Sequence, residues 1–320
     1  MTIDVLLVLA GSVVLLGGGE SLVRGAVSLA RSLGVSALVI GLTVVAFGTS
    51  APEFVVSATA AWKGNTSICG GNIIGSNILN VLLVLGATAL VYPLKSTTAL
   101  VRRETPIMIG VSLLFWLVAG NGVLSRRDGL LLLTLLAVYT AATVWFARRE
   151  KAALAQEYAD TQPAGSRSVP FNLLLVIAGL VLLAIGSRVF LRGAIGIATA
   201  LGISEAMIGL TLVAVGTSLP ELASSLVAAW RKHPDICLGN IVGSCIYNLL
   251  WIGGTCGVIR DVPFDNTQDY MLSLHIPVMV GAAVIIWPMI AIGPGISRRE
   301  GLLLLVIYVV YLVWTILLGT

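Results

Sequence analysis

Glu53 and Glu221 each close the same six-residue phrase, GTSAPE at 48–53 and GTSLPE at 216–221, inside otherwise apolar runs. At the middle of a bilayer a carboxylate costs about 2.5–3.5 kcal/mol on insertion scales, and an intramembrane acid is a functional group by default. No Lys or Arg lies at comparable depth in any apolar run, so the pair predicts a bound cation. The preceding residues supply more oxygen. Pro52 and Pro220 have no N–H, which leaves the carbonyls of Gly48 and Gly216 without their helical donors, and the two glycines loosen the same turn. Opening that turn frees the carbonyls of Ala46, Thr49, Ala214 and Thr217, beside the hydroxyls of Ser50 and Ser218. Such backbone is tolerated at membrane depth only where it lines a cavity.

A second block follows each phrase, GNIIGSNILN at 71–80 and GNIVGSCIYN at 239–248. Ser76 and Asn80 are four apart, hence on one helical face, and Ser244 and Asn248 repeat the spacing. Their neutral oxygens complete a cation shell without adding charge. Gly71, Gly75, Gly239 and Gly243 are expected to let helices approach closely. The set is all oxygen, which suits hard cations such as calcium, sodium or magnesium and not zinc or copper. Each item alone has a plainer account. A lone Pro kinks a helix, glycines pack, and an intramembrane Ser caps its own backbone. The recurrence of the whole set at one offset favours the cation site.

The elements that must hold these residues follow from composition. The chain has 320 residues, 58% hydrophobic and 11% charged, with mean hydropathy +1.01. Soluble domains carry roughly a quarter charged residues, so the bilayer is the expected solvent. Apolar runs near 3–23, 36–61, 68–91, 105–120, 128–147, 171–190, 204–230, 236–258, 271–291 and 300–318 predict ten spans. The opening run lacks a basic flank and a small-residue cleavage site and is expected to remain as the first helix. Shifting the chain by 168 lays 41–86 on 209–254 with 25 identities in 46 positions. SRRDGLLLL at 125–133 likewise matches SRREGLLLL at 297–305. The expected architecture is an all-α integral membrane protein of two five-helix repeats, 1–147 and 171–320, joined by a cytoplasmic linker at 148–170.

Five helices per repeat make the two halves inverted. With both termini outside, thirteen of the nineteen Lys and Arg residues fall in inner loops and six in outer ones, the distribution that positive charge prefers. Inverted repeats with broken helices and a midplane site characterise secondary transporters. Cys69, Cys237, Cys245 and Cys256 sit singly in apolar runs and read as packing residues, and His233 and His275 stand too far apart for a metal cluster. Trp62 and Trp230 read as interfacial anchors. No basic tail points to nucleic acid. An intramembrane hydrolase would need a His or Lys beside a Ser, and a passive channel suits a paired, occluding site poorly.

The paired GTSxPE and GNxxGSxxxN blocks resemble the two α-repeats of the sodium/calcium exchanger family, of prokaryotic type, within the calcium/cation antiporter superfamily. The resemblance covers essentially the whole chain. It implies a calcium site at Glu53, Glu221, Thr49 and Thr217, completed by Asn80 and Asn248, and sodium sites at Ala46, Ser50, Ser76, Ala214, Ser218 and Ser244. It implies an antiporter of the plasma membrane that moves calcium against sodium by alternating access, with no cofactor and no enzymatic activity, and it is compatible with a monomer. Asn248 departs from the Asp found here in potassium-dependent members, and Gly75 and Gly243 from the Glu of the cation/proton branch. A calcium/proton antiporter using the same two glutamates is the alternative. The linker is too short for the regulatory domain of the animal exchangers.

Overall fold

The computed structural model describes residues 1–160, 168–202, 214–264 and 271–319, and these are mostly helical. Helix α1 (Thr2–Leu33) stops at Gly34, whose left-handed φ of 65° lets its N–H close on the Ala30 and Arg31 carbonyls. Helix α2 (Ala37–Thr49) starts on Ser36, whose hydroxyl accepts from the Val39 N–H. It breaks at Ser50 and resumes, bent by 44°, as α3 (Ala51–Lys63). Pro52 falls at the second position of α3, where a missing N–H costs nothing. Then come α4 (Thr66–Val91), β1 (Leu94–Lys95), α5 (Thr105–Ala119), β2 (Val123–Leu124) and α6 (Arg126–Asp160). The second half runs α7 (Val169–Ala200), α8 (Ala214–Thr217), α9 (Leu219–Trp230), α10 (Pro234–Ile259), β3 (Val262–Pro263), α11 (Met271–Ile292), β4 (Gly295–Ile296) and α12 (Arg298–Gly319).

Among the described residues, seven helices are long and apolar enough to cross a bilayer, and the bent pair α2–α3 makes an eighth. The fourth expected span corresponds to α5, and the seventh to α8–α9, whose expected opening at 204–213 lies outside the described residues. The linker expected from 148 is helical through Asp160, because AALAQEYA is built of strong helix formers; its portion 161–167 lies outside the described residues. In α10 94% of the most apolar stretch is buried and in α4 78%, against 22% in α1 and 11% in α12. Helices α4 and α10 therefore form the centre, and α1 and α12 lie at the surface.

Glycines set the closest contact. A Cβ on Gly11, Gly18 or Gly25 of α1 would strike the backbone of Phe190, Leu183 or Val176 on α7. A Cβ on Gly179, Gly186 or Gly193 of α7 would strike Leu22, Leu15 or Asp4 on α1. The numbers fall as their partners' rise, so the two helices run antiparallel, with a glycine every seventh residue on each. Close backbone approach of this kind replaces the hydrophobic drive that lipid removes.

Two short ladders tie the halves together. Leu94 pairs with Ile296 and Lys95 with Gly295; Val123 pairs with Pro263 and Leu124 with Val262. The offset of 168 carries β1 onto β3, and the later offset of 172 carries β2 onto β4, so the repeat exchanges one ladder for the other. Gly295, at φ 137°, is required: a Cβ there would overlap the Leu94 carbonyl.

Candidate functional site

Both glutamates sit in the first turn after a one-residue break. Ser50 (φ −78°, ψ 2°) separates α2 from α3, and Ser218 (φ −89°, ψ 6°) separates α8 from α9. The expected opened turn is thus a sharp bend with a single residue out of helical geometry. The two breaks face each other. Ser50 Oγ donates to Glu221 Oε1 at 3.3 Å, and Ser218 Oγ donates to Glu53 Oε1 at 3.0 Å. Both carboxylates are fully buried. Thr217 also approaches Glu53, and Thr49 and Ser244 approach Glu221. Each glutamate therefore takes its hydrogen-bonding serine from the opposite half.

The remaining carboxylate oxygens, Glu53 Oε2 and Glu221 Oε2, are buried without a hydrogen-bond partner. The same holds for Ser76 Oγ, Ser244 Oγ and both polar atoms of Asn80 and of Asn248. Buried polar atoms are almost always paired in folded proteins, and a group of orphans requires an explanation. Six residues carry these atoms, in three pairs related by the repeat. Six of the eight atoms named, the two amide carbonyls among them, are oxygens able to donate electron pairs to a hard cation. Ala46 is buried and Thr49 and Thr217 nearly so, and Ala46 and Ala214 open the last helical turn before each break. All twelve residues expected from the sequence thus lie on the two breaks or on the α4 and α10 segments beside them. Among the described residues no cluster of three His, Cys, Asp or Glu side chains exists, so the two glutamates are the anionic part of this lining.

Asn80 opens a π-helical turn at Asn80–Val84 and Asn248 another at Asn248–Gly253. A widened turn of this kind is common at functional sites. A third, Gly41–Val45, directly precedes Ala46. The close approach expected of the second-block glycines occurs at Gly239 and Gly243, where an added Cβ would meet Leu38, Gly41, Leu42 and Ala46 of α2. Gly71 and Gly75 have no such neighbour among the described residues, and the exchange-related stretch 203–213 falls outside them.

The sequence reading gave no role to Asn72 or Asn240, although both stand in the repeated GN pair. Asn72 Nδ2 donates to the Glu53 carbonyl at 3.3 Å and to Ser57 Oγ at 2.8 Å, and its Oδ1 accepts from Thr217 Oγ1 at 3.2 Å. Asn240 Nδ2 donates to Ser224 Oγ and Ser225 Oγ, both at 3.1 Å, and its Oδ1 accepts from Thr49 Oγ1 at 3.0 Å. Phe47 and Phe54, on either side of the first break, stack on Trp251 with centroids 4.4 and 4.3 Å away. Two parallel rings that close to one indole centre cannot share a face, so Trp251 lies between them.

The family model described as sodium/calcium exchanger protein matches residues 3–145 and again 171–317. The chain is 32% identical over 299 residues to the sodium/calcium exchanger MaX1 of Methanosarcina acetivorans, covering 82% of this chain and 84% of that one. It is 33% identical over 268 residues to the inner membrane protein YrbG of Escherichia coli, covering 82% and 81% respectively. The solved structure of the sodium-calcium exchanger NCX_Mj soaked with sodium and calcium superposes with a TM-score of 0.83 at 33% identity, over 97% of this chain and 98% of that one.

Proposed function

We propose that this chain, which belongs to the sodium/calcium exchanger family and so is a multi-pass membrane cation exchanger, moves calcium one way across the plasma membrane in exchange for sodium moving the other. The observation that carries this reading is the reciprocal site: two buried glutamates, each hydrogen-bonded by the serine of the opposite half, amid orphaned oxygens. Glu53 and Glu221 offer about two negative charges, enough for one calcium ion. Thr49, Thr217, Asn80 and Asn248 complete its shell. Ala46, Ser50, Ser76, Ala214, Ser218 and Ser244 serve the sodium ions, which use the same oxygens and so exclude calcium. Mutual exclusion at one site makes the protein an exchanger and not a cotransporter. If several sodium ions replace each calcium, net charge moves, and the membrane potential biases the cycle by about 2.3 kcal/mol per charge per 100 mV.

The alternation comes from two inverted five-helix halves, 1–147 and 171–320, with ten spans, the connection 148–170 in the cytoplasm and both termini outside. The exchanged ladders and exchanged serine contacts support that symmetry. Helices α1 and α7, joined by their glycines, slide as one body past the site to switch access. The deciding measurement is calcium-45 uptake into proteoliposomes under an imposed sodium, potassium or proton gradient. A sodium gradient is expected to drive uptake, and Glu53→Gln or Glu221→Gln to abolish it. Uptake driven by a pH gradient alone would make the protein a calcium/proton exchanger on the same glutamates, and near-normal uptake by both variants would refute the site.

A further inference from the structure

We propose that Asn72 and Asn240 are positioning residues that brace the two halves of the ion site against each other, through the hydroxyls of Thr217 and Thr49. Both amides have a fixed orientation. The Glu53 carbonyl only accepts hydrogen bonds, so Asn72 must present its N–H to it and its Oδ1 to Thr217. Ser224 spends its own proton on the Glu221 carbonyl at 3.1 Å, so it can only accept from Asn240, whose Oδ1 is thereby turned to Thr49.

The consequence is a pair of crossed links. One runs from Thr217 through Asn72 to the Glu53 carbonyl. The other runs from Thr49 through Asn240 and Ser224 to the Glu221 carbonyl. Each joins the break of one half to the glutamate-bearing turn of the other, on the backbone and not at the carboxylate. Glu53 Oε2 and Glu221 Oε2 therefore stay available while the distance between the two anionic turns is held. Ser57 and Ser225, which the offset of 168 relates, anchor the second N–H of each amide on α3 and α9. The Asn240 amide is buried and the Asn72 amide half-buried; with all its bonds made such a group is rigid, and left half-satisfied it is costly, so each link acts as a unit. Its role is to fix the cavity at the size that fits one cation shell, which sets ion affinity more than folding.

This inference rests on the reading of the site as a calcium site, and the test separates the two. Calcium-45 exchange by the full chain in proteoliposomes is measured for Thr49→Val, Thr217→Val, Thr49→Ser, Asn72→Leu, Asn240→Leu and the pairs. Thr49→Val and Thr217→Val each remove the hydroxyl but keep the carbonyl ligand and the shape. Thr49→Val is expected to raise the half-saturating calcium concentration about tenfold, the effect of leaving the buried Asn240 oxygen unpaired, and Thr217→Val to raise it by less, because Asn72 is half-buried. Thr49→Ser restores the hydroxyl and the wild-type value. Thr49→Val is expected to add nothing further to Asn240→Leu, yet to combine additively with Asn72→Leu, because the links cross between halves. Half-saturation unchanged in both valine variants, or loss of affinity in Thr49→Ser equal to that in Thr49→Val, overturns the brace. If the Leu variants fail to fold, the Val and Ser comparison alone decides. A wild-type protein that exchanges no calcium refutes the functional reading instead.

Discussion

In the proposed ion site Glu53 and Glu221 bring charge while the buried Asn80 and Asn248 bring only dipoles. That division sets the total near two negative charges, and Asn248 is where it can be changed with one atom. Asn248→Asp adds a third carboxylate without altering shape. A unit charge about 4 Å away in an environment of effective dielectric about 20 is worth several kcal/mol. Calcium should therefore bind at least about tenfold more tightly in the variant at alkaline pH. The gain should vanish on acidification, since a proton on the new carboxylate cancels the added charge. Half-saturating calcium measured from pH 9 to pH 6 checks this, and a profile parallel to wild type would move Asn248 away from the ion. The proposed ligand set was legible in the sequence because each residue type announces its chemistry and recurs at offset 168. Asn72 and Asn240 were not, because an asparagine's role depends on which groups face it, and Thr217 and Thr49 lie 145 and 191 residues away.

Among the elements, α1 and α7 show what a pattern of small residues specifies once its partner is known. Gly17 and Gly18 are adjacent, yet a Cβ on Gly18 would lie 2.8 Å from Leu183 N, whereas Gly17 has open space around it. Gly18→Val should force the helices apart and destabilise the protein by about 1–3 kcal/mol. Gly17→Ala should be neutral or stabilising, since alanine is the better helix former by about 1 kcal/mol. Thermal unfolding in detergent distinguishes them, and equal melting temperatures would contradict the packing. The seven-residue glycine spacing stood in the sequence, but nothing there said which helix would fill it. The breaks at Ser50 and Ser218 were legible from Gly and Pro, while the π-helical turns at 80–84 and 248–253 were not: a one-residue widening of a helix leaves no change in apolar periodicity long enough to read. The aromatic brace of Phe47, Trp251 and Phe54 belongs to the first break alone, for the offset carries these residues onto Val215, Leu83 and Leu222.

For the whole molecule, on the proposed alternating-access reading, such departures from the repeat bias which access state is favoured. In an exchanger built of inverted halves, the opposite state is reached when each half adopts the contacts the other makes now, so any contact the sequence cannot reproduce in exchange biases the equilibrium. Arg231, just past α9, grips Glu20 of α1 with two bonds, Nε to Oε2 at 2.8 Å and Nη2 to Oε1 at 2.6 Å. The offset carries Glu20 and Arg231 onto Arg188 and Lys63, two cations that cannot pair. Ser187 of α7 donates to the Gly216 carbonyl, the one that Pro220 leaves without a helical donor, and the related residues are Gly19 and Gly48. Neither bond has a counterpart, and α1 packs along α9 where α7 touches α3 only sparsely. The ion pair is partly solvent-exposed, so it is worth about 0.5–1 kcal/mol despite its bidentate geometry. Apparent affinity falls in proportion to the population of the state that presents the site. Half-saturating calcium should therefore differ between right-side-out and inside-out vesicles, and Glu20→Gln or Ser187→Ala should narrow the ratio about two- to fivefold. Neither residue lies among the proposed ion ligands, so binding itself should be unaffected. A ratio that both variants leave unchanged would mean that these bonds do not distinguish the two states.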